Sequence, residues 1–298
     1  MTEAIQRDTV SHSEVESYLR CERQHFYGYG MEIQRQPGQE SDSLFRGTVG
    51  HKCLEAAFTF LKNAPSHIMG PVNEGSVAEA KDIALATTIE AADKPEVMKE
   101  LMTCLSAFFD NFPFYGWTIL AVEQEYVMPV APDLNMPFVI DLLARDQYGD
   151  IWVIDNKFVY DFYSSRDTEL MPQLPKYYVG LKALGINVDK MAYSMYRYRS
   201  QKSTDPDKYY KFEPVTFTNS RLMQTITEQV VVSDRILTAK LKSLEEWSGS
   251  AMRTANSMVC NSCSFRSLCV AELNDWQPNL VLNSEYEKKQ RREFVTNV

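Results

Sequence analysis

The chain has 298 residues, with 31 Lys and Arg against 40 Asp and Glu, for a formal net charge of −9. That balance excludes a strongly basic chromatin-type binder, and 44% hydrophobic with 24% charged residues excludes disorder along the whole chain. No apolar run approaches the ~18–20 residues of a membrane span, and the opening Met-Thr-Glu-Ala-Ile-Gln-Arg-Asp lacks a basic-then-apolar leader, so a cytoplasmic protein is expected, in a host's cytoplasm if phage-encoded.

Ser11 or Ser13 is placed to cap a first helix, with Glu14 and Glu16 three residues on to complete a capping box. Val15, Leu19 and Phe26 follow at near-helical spacing up to a Gly28-Tyr-Gly30 break. A helix from Leu44 puts His51, Leu54, Phe58 and Leu61 on one face, and residues 76–93 and 95–112 read as two more helices forming an insert. From Gly116 the period changes to two, which predicts strands over 118–130, 138–145 and 151–159. Asp-Gln-Tyr-Gly-Asp at 146–150 turns the second of these into the third as an antiparallel hairpin. A helix over 169–184, strands over 191–199 and 209–217, a long helix over 219–247 and a cysteine loop complete the order. No repeat or Pro-rich linker divides the chain, so one mixed α/β domain is the economical reading.

The hairpin carries Ile140-Asp141-Leu142 and Val153-Ile154-Asp155-Asn156-Lys157. Ionised groups inside apolar strands cost several kcal/mol each unless paired or bound to a cation. Asp155 and Lys157 are two apart and share a strand face, and the turn can bring Asp141 beside them. Two carboxylates holding Mg²⁺ or Mn²⁺, with an ammonium to orient water or neutralise charge on phosphate, suit phosphodiester hydrolysis. The same spacing also suits a plain ion pair. Gln173 and Tyr177 lie four apart on one helical face, positioned to touch a nucleotide or the metal's water shell, and His51 can supply a nitrogen ligand. Glu123 and Glu125 either add a carboxylate or line an exposed strand face.

In this order of residues the chain resembles the RecB-like branch of the PD-(D/E)XK nuclease superfamily, from Ser11 to Cys269. The pattern falls on Gly47 to His51, Asp141, Asp155 to Lys157, and Gln173 to Tyr177, with Val139 where the family often has Gly and Asp155 where it often has Glu. The resemblance implies His51, Asp141, Asp155 and the backbone carbonyl of Asn156 as metal ligands, with Asp141, Asp155, Lys157, Gln173 and Tyr177 in the catalytic set. It implies a single nuclease domain over 1–298 with a restriction-endonuclease-like core: a central mixed sheet flanked by helices, a helical insert over about 52–115 and a cysteine region over about 250–298.

Cys260, Cys263 and Cys269 fall within ten residues, a clustering that favours a metal site over disulfides. With Cys21 as the remote fourth, the set resembles the iron–sulfur subgroup that includes the AddB nuclease and the CRISPR adaptation nuclease, in which a [4Fe-4S] cluster joins N- and C-terminal elements. A Cys₄ zinc site and buried unliganded thiols are the competing readings, and Cys53 and Cys104 read as core.

Tyr193-Ser-Met-Tyr196-Arg197-Tyr198-Arg199 interleaves rings with guanidinium groups, so Arg197 and Arg199 are candidate DNA contacts, with Lys202, Lys208 and Lys211 following; a strand with solvated arginines fits as well. The basic tail to Arg292 is a further candidate. The resulting expectation is a metal-dependent single-stranded DNA exonuclease in recombination, repair or phage DNA processing, working alone or with a separate helicase or recombination protein and as an oligomer or not; the rival is a catalytically silent nucleic-acid-binding or assembly protein.

Overall fold

The structure, a computed structural model, describes residues 8–39, 41–63, 71–132, 134–199 and 205–289, so that Lys202 and residues 290–292 of the basic tail lie outside the described residues. β1 (Asp8–Thr9) leads into α1 (His12–Arg20), α2 (Glu22–His25), a π-helical turn (Phe26–Gly30) and β2 (Ile33–Arg35). Then come α3 (Asp42–Asn63), α4 (Glu74–Ala91), α5 (Pro95–Asp110), β3 (Thr118–Ala131), β4 (Leu134–Arg145) and β5 (Ile151–Val159). α6 (Ser165–Leu170), α7 (Gln173–Ala183), β6 (Lys190–Arg197) and β7 (Tyr210–Val215) follow, and after them α8 (Asn219–Lys240), α9 (Leu244–Ser250), α10 (Ser257–Asn261), α11 (Arg266–Leu273), α12 (Pro278–Glu285) and β8 (Tyr286–Lys288). The described residues form two compact units, one within 1–41, 127–138 and 226–298, the other within 42–126 and 139–225.

The second unit holds a mixed sheet in the order β3-β4-β5-β6-β7. β5 is its middle strand, antiparallel to β4 (Leu142 opposite Ile154, Arg145 opposite Ile151) and parallel to β6. Parallel pairing needs a long crossover, which α6 and α7 supply. Strand alternation sends Trp152 and Ile154 into a core with Leu54, Phe58 and Leu61 of α3 and Leu101, Leu105 and Phe108 of α5. Each such fully buried side chain contributes roughly 1.5–3 kcal/mol. Cys53 and Cys104 are fully buried in the same cluster, as core residues.

In the first unit β1 pairs in parallel with Leu134 and Asn135, and Val10, Val15, Leu134, Val232 and Ile236 pack together. A second cluster gathers Phe26, Tyr27, Ile33, Trp247, Phe265, Leu268 and Tyr286, and β2 pairs antiparallel with β8.

Several boundaries depart from expectation for local reasons. The Ser11 hydroxyl accepts the Glu14 N–H at 3.1 Å, but the Glu14 carboxylate turns to His25 and Lys240 instead of closing a capping box. The first helix breaks at Cys21, which is extended, and not at the glycines; these lie in the π turn, where a Cβ on Gly30 would sit 2.9 Å from the Phe26 ring. Pro172 splits the expected 169–184 helix into α6 and α7, since the ring removes a donor and disfavours helix before it. The long helix expected to 247 stops at Lys240, and Ser243 starts α9 with a capping box to Glu246.

Candidate active site and cysteine centre

The central strand β5 carries Asp155, Asn156 and Lys157, and the β4 register extended by one step sets Asp141 opposite Asp155. Asp141 Oδ2 accepts the Asn156 backbone N–H at 2.7 Å, which fixes the carboxylate against the strand. Asp155 is fully buried, and among the described residues neither of its oxygens accepts a hydrogen bond of good geometry; the Lys157 ammonium stands 2.8 Å from Oδ2. Burial pushes the Asp155 carboxyl up to about 6, against the pull of Lys157 and with the push of Asp141. Burial also raises Asp141.

His51, from the middle of α3, reaches this face. Its Nδ1 lies 3.1 Å from Glu123 Oε1 and 3.7 Å from Asp141 Oδ2. Burial opposes charge on the imidazole, yet the Glu123 hydrogen bond and the fields of Asp141, Glu123 and Asp155 push it up to about 9. Donor atoms of His51, Glu123 and Asp141 all lie within 4.8 Å of one another. Three carboxylates thus converge on one imidazole and one ammonium, a hard-oxygen set with one nitrogen that fits a divalent cation. Glu123 is the residue that sequence pattern left undecided. Its φ of 44° is left-handed, a conformation that costs a non-glycine residue about 1–3 kcal/mol. No alternation rule reveals such a backbone excursion, and it accompanies the contact of this carboxylate with His51.

Gln173 and Tyr177 join Lys157 in a chain of hydrogen bonds. The Lys157 ammonium donates to Gln173 Oε1 at 2.6 Å, and Gln173 Nε2 donates to the Tyr177 hydroxyl at 2.7 Å. One end of α7 thus holds the lysine between Gln173 and Asp155. If Lys157 acts in cleavage as the resemblance implies, Gln173→Leu should lower the single-turnover rate constant roughly 10- to 100-fold; an unchanged rate constant would remove Gln173 from the lysine's support.

The glycine that matters sterically is Gly50, not Gly47, which meets open space. A Cβ on Gly50 would lie 2.4 Å from the Phe158 ring, and that ring stacks on fully buried Tyr196 at 4.9 Å. Gly50→Ala should therefore push α3 off β5, destabilise by about 1–3 kcal/mol and displace the adjacent His51. A thermal melt unchanged from wild type would show that Phe158 yields freely.

Arg197 and Arg199 separate. Arg197 donates to the Lys208 carbonyl at 2.5 Å, lies over the Phe162 ring and has a side chain 14% exposed. Arg199 is 47% exposed, pairs with Asp161 at 2.8 Å and lies over the outward-facing Tyr160 ring.

Cys21, Cys260, Cys263 and Cys269 all belong to the first unit, as free thiols. Three contacts tie the Cys21 segment to the C-terminal loop: Thr254 Oγ1 donates to the Arg20 carbonyl (2.7 Å), the Arg23 N–H to the Met252 carbonyl (3.0 Å), and Arg20 to Ser262 Oγ (2.5 Å). Burial raises the Cys263 thiol, and the fields of Cys21 and Cys269 push the same way, so these sulfurs feel one another. Four soft sulfur donors in one unit are a ligand set that fits a soft metal centre.

Among the described residues no helix is long and apolar enough to cross a membrane. No curated protein matches the chain. A solved structure described as SSO0001 is similar over 76% of this chain and 97% of its own, at 16% identity and a TM-score of 0.33, too distant to carry an argument. Residues 9–270 match the PD-(D/E)XK nuclease superfamily, whose members use divalent metals, and that span takes in Asp141 on β4, Asp155 on β5 and Cys21, Cys260, Cys263 and Cys269. The chain belongs to the PD-(D/E)XK nuclease superfamily.

Proposed function

We propose that this chain is a Mg²⁺- or Mn²⁺-dependent deoxyribonuclease that degrades single-stranded DNA from its ends, in the RecB-like iron–sulfur branch, as one nuclease domain working with a separate unwinding or recombination partner. The observation that carries the catalytic reading is Asp155: a fully buried carboxylate without a well-formed hydrogen bond, beside Asp141, His51 and Glu123, is a charge that a cation would complete. When bound, the metal supplies charge stabilisation at the scissile phosphate and a more acidic water. The residues supply the rest. His51, Glu123, Asp141, Asp155 and the Asn156 carbonyl would hold the cation, and Lys157, fixed between Asp155 and Gln173, would present its ammonium to the attacking water or the phosphate oxygen. Water oxygen forms the new bond to phosphorus as the bond to the leaving sugar oxygen breaks.

The single-strand and end preferences rest on the family resemblance; exposed Tyr160 and Arg199 beyond the end of β5 support a strand track. The interleaving of the two units along the chain supports one domain. For the cysteines, four soft sulfurs in one unit suit a soft metal centre, and the choice of a [4Fe-4S] cluster over zinc rests on the family resemblance. The test is digestion of linear and circular single-stranded DNA with Mn²⁺, beside Lys157→Ala. Wild-type loss of linear DNA alone, with the variant inert, is expected. Cut circles would remove the exonuclease reading, and inert wild type would leave a binding protein.

A further inference from the structure

Arg253 points a guanidinium N–H at a cysteine sulfur: Nε lies 3.3 Å from Cys269 Sγ. The group is not a loose surface cation. Its Nη2 is 2.9 Å from Glu272 Oε2, and that same oxygen takes the Tyr27 hydroxyl at 2.6 Å and the buried guanidinium of Arg23. Arg23 is anchored in turn by the Ser248 carbonyl at 2.7 Å and hydroxyl at 2.9 Å. Glu272 therefore spends one oxygen on donors from three residues, which leaves Arg253 oriented by a carboxylate that cannot swing away. All six residues belong to the first unit.

We propose that Arg253 tunes the cysteine centre by donating a charged hydrogen bond to the Cys269 sulfur, raising the reduction potential of the bound iron–sulfur cluster. The inference rests on the reading that the four cysteines hold such a cluster. A reduced cluster carries one electron more than the oxidised one, and that electron density extends onto the ligand sulfurs. A cationic donor 3.3 Å from one of them stabilises the reduced form more than the oxidised form. Glu272, Arg23 and Tyr27 act through Arg253 as positioning residues.

The test uses full-length protein purified without oxygen, with iron and acid-labile sulfide assayed and the midpoint potential read by a redox titration followed by electron paramagnetic resonance. Arg253→Met should keep wild-type iron and shift the potential negative by about tenfold in the reduction constant, roughly 59 mV for one electron. Glu272→Gln, which loosens Arg253 without removing it, should shift it in the same direction by less. Full iron with an unmoved potential in Arg253→Met would overturn the proposal and leave the cluster reading intact. Wild-type protein holding zinc and no iron would overturn the cluster reading itself. If Arg253→Met loses its iron, Arg253→Lys decides: it keeps the charge and gives up the guanidinium geometry, so retained iron with a negative shift supports tuning, whereas retained iron with an unmoved potential, or iron lost again, makes Arg253 structural and sinks the idea.

Discussion

Asp155→Asn should abolish DNA cleavage, by on the order of a thousand-fold or more, while raising the melting temperature of the metal-free protein. The two effects have one cause. Burial lifts the Asp155 carboxyl up to about 6, above the value near 3.8 that it has in an unfolded chain. Between these values the folded protein holds a proton that the unfolded chain has released, so stability falls as pH rises from about 4 to about 6 and the deficit is fully present at pH 7. The gap, which already includes the attraction of Lys157, corresponds to about 3 kcal/mol and sets the upper bound on the gain in the variant. His51 adds a second step. Held up to about 9, its charge contributes stability present below its unfolded value of 6.5 and lost as pH rises through 9. In chelator, wild type should melt at progressively lower temperature from pH 4 to pH 9, Asp155→Asn should lose the acidic half of that slope, and Mn²⁺ should raise the melting temperature of wild type alone. Cleavage surviving in Asp155→Asn, or a lower metal-free melt, would refute the arrangement.

Cys263→Ala should cost the protein its iron, on the order of four atoms per chain in wild type, together with most of its soluble yield. Cys263 and Cys269 pack against the cluster of Phe26, Tyr27, Trp247 and Phe265, so a centre held there is part of that core's packing. A centre formed only in the folded state contributes its binding free energy to folding, and losing one ligand removes much of it. Cys53→Ala is the control: that thiol is fully buried in the other unit beside Thr88, and its loss should leave iron untouched and lower stability through packing alone. Iron content unchanged in Cys263→Ala would contradict the assignment.

The strand at 151–159 was readable to the residue because an apolar run between two turn signals admits little else, and the hairpin register followed from Asp146, whose carboxylate accepts the Tyr148 and Asp150 N–H groups. Asp141, Asp155 and Lys157 stand out in the sequence because charge inside such strands needs a reason, and the structure sets Asp141 on the Asn156 N–H and Lys157 beside Asp155. Glu123 was not, since its contact with His51 accompanies a left-handed backbone that no spacing encodes. Gly50 was hidden for a related reason: a glycine inside a helix acquires meaning from what crosses it, here the Phe158 ring. Arg197 and Arg199 look alike in sequence, and only the positions of Lys208 and Phe162 separate them.

The pairing of Arg20 with Ser262, Arg23 with Glu272 and Arg35 with Glu285 has a consequence in time. Synthesis at ~5–20 residues per second delivers those partners some 12–50 s after the arginines themselves. The second unit, 42–126 and 139–225, is all made by then, whereas the first unit closes only after its 226–298 part has emerged. During that interval Cys21 waits without its distant companions, and a centre that used all four cysteines could not form before Cys269 has been made.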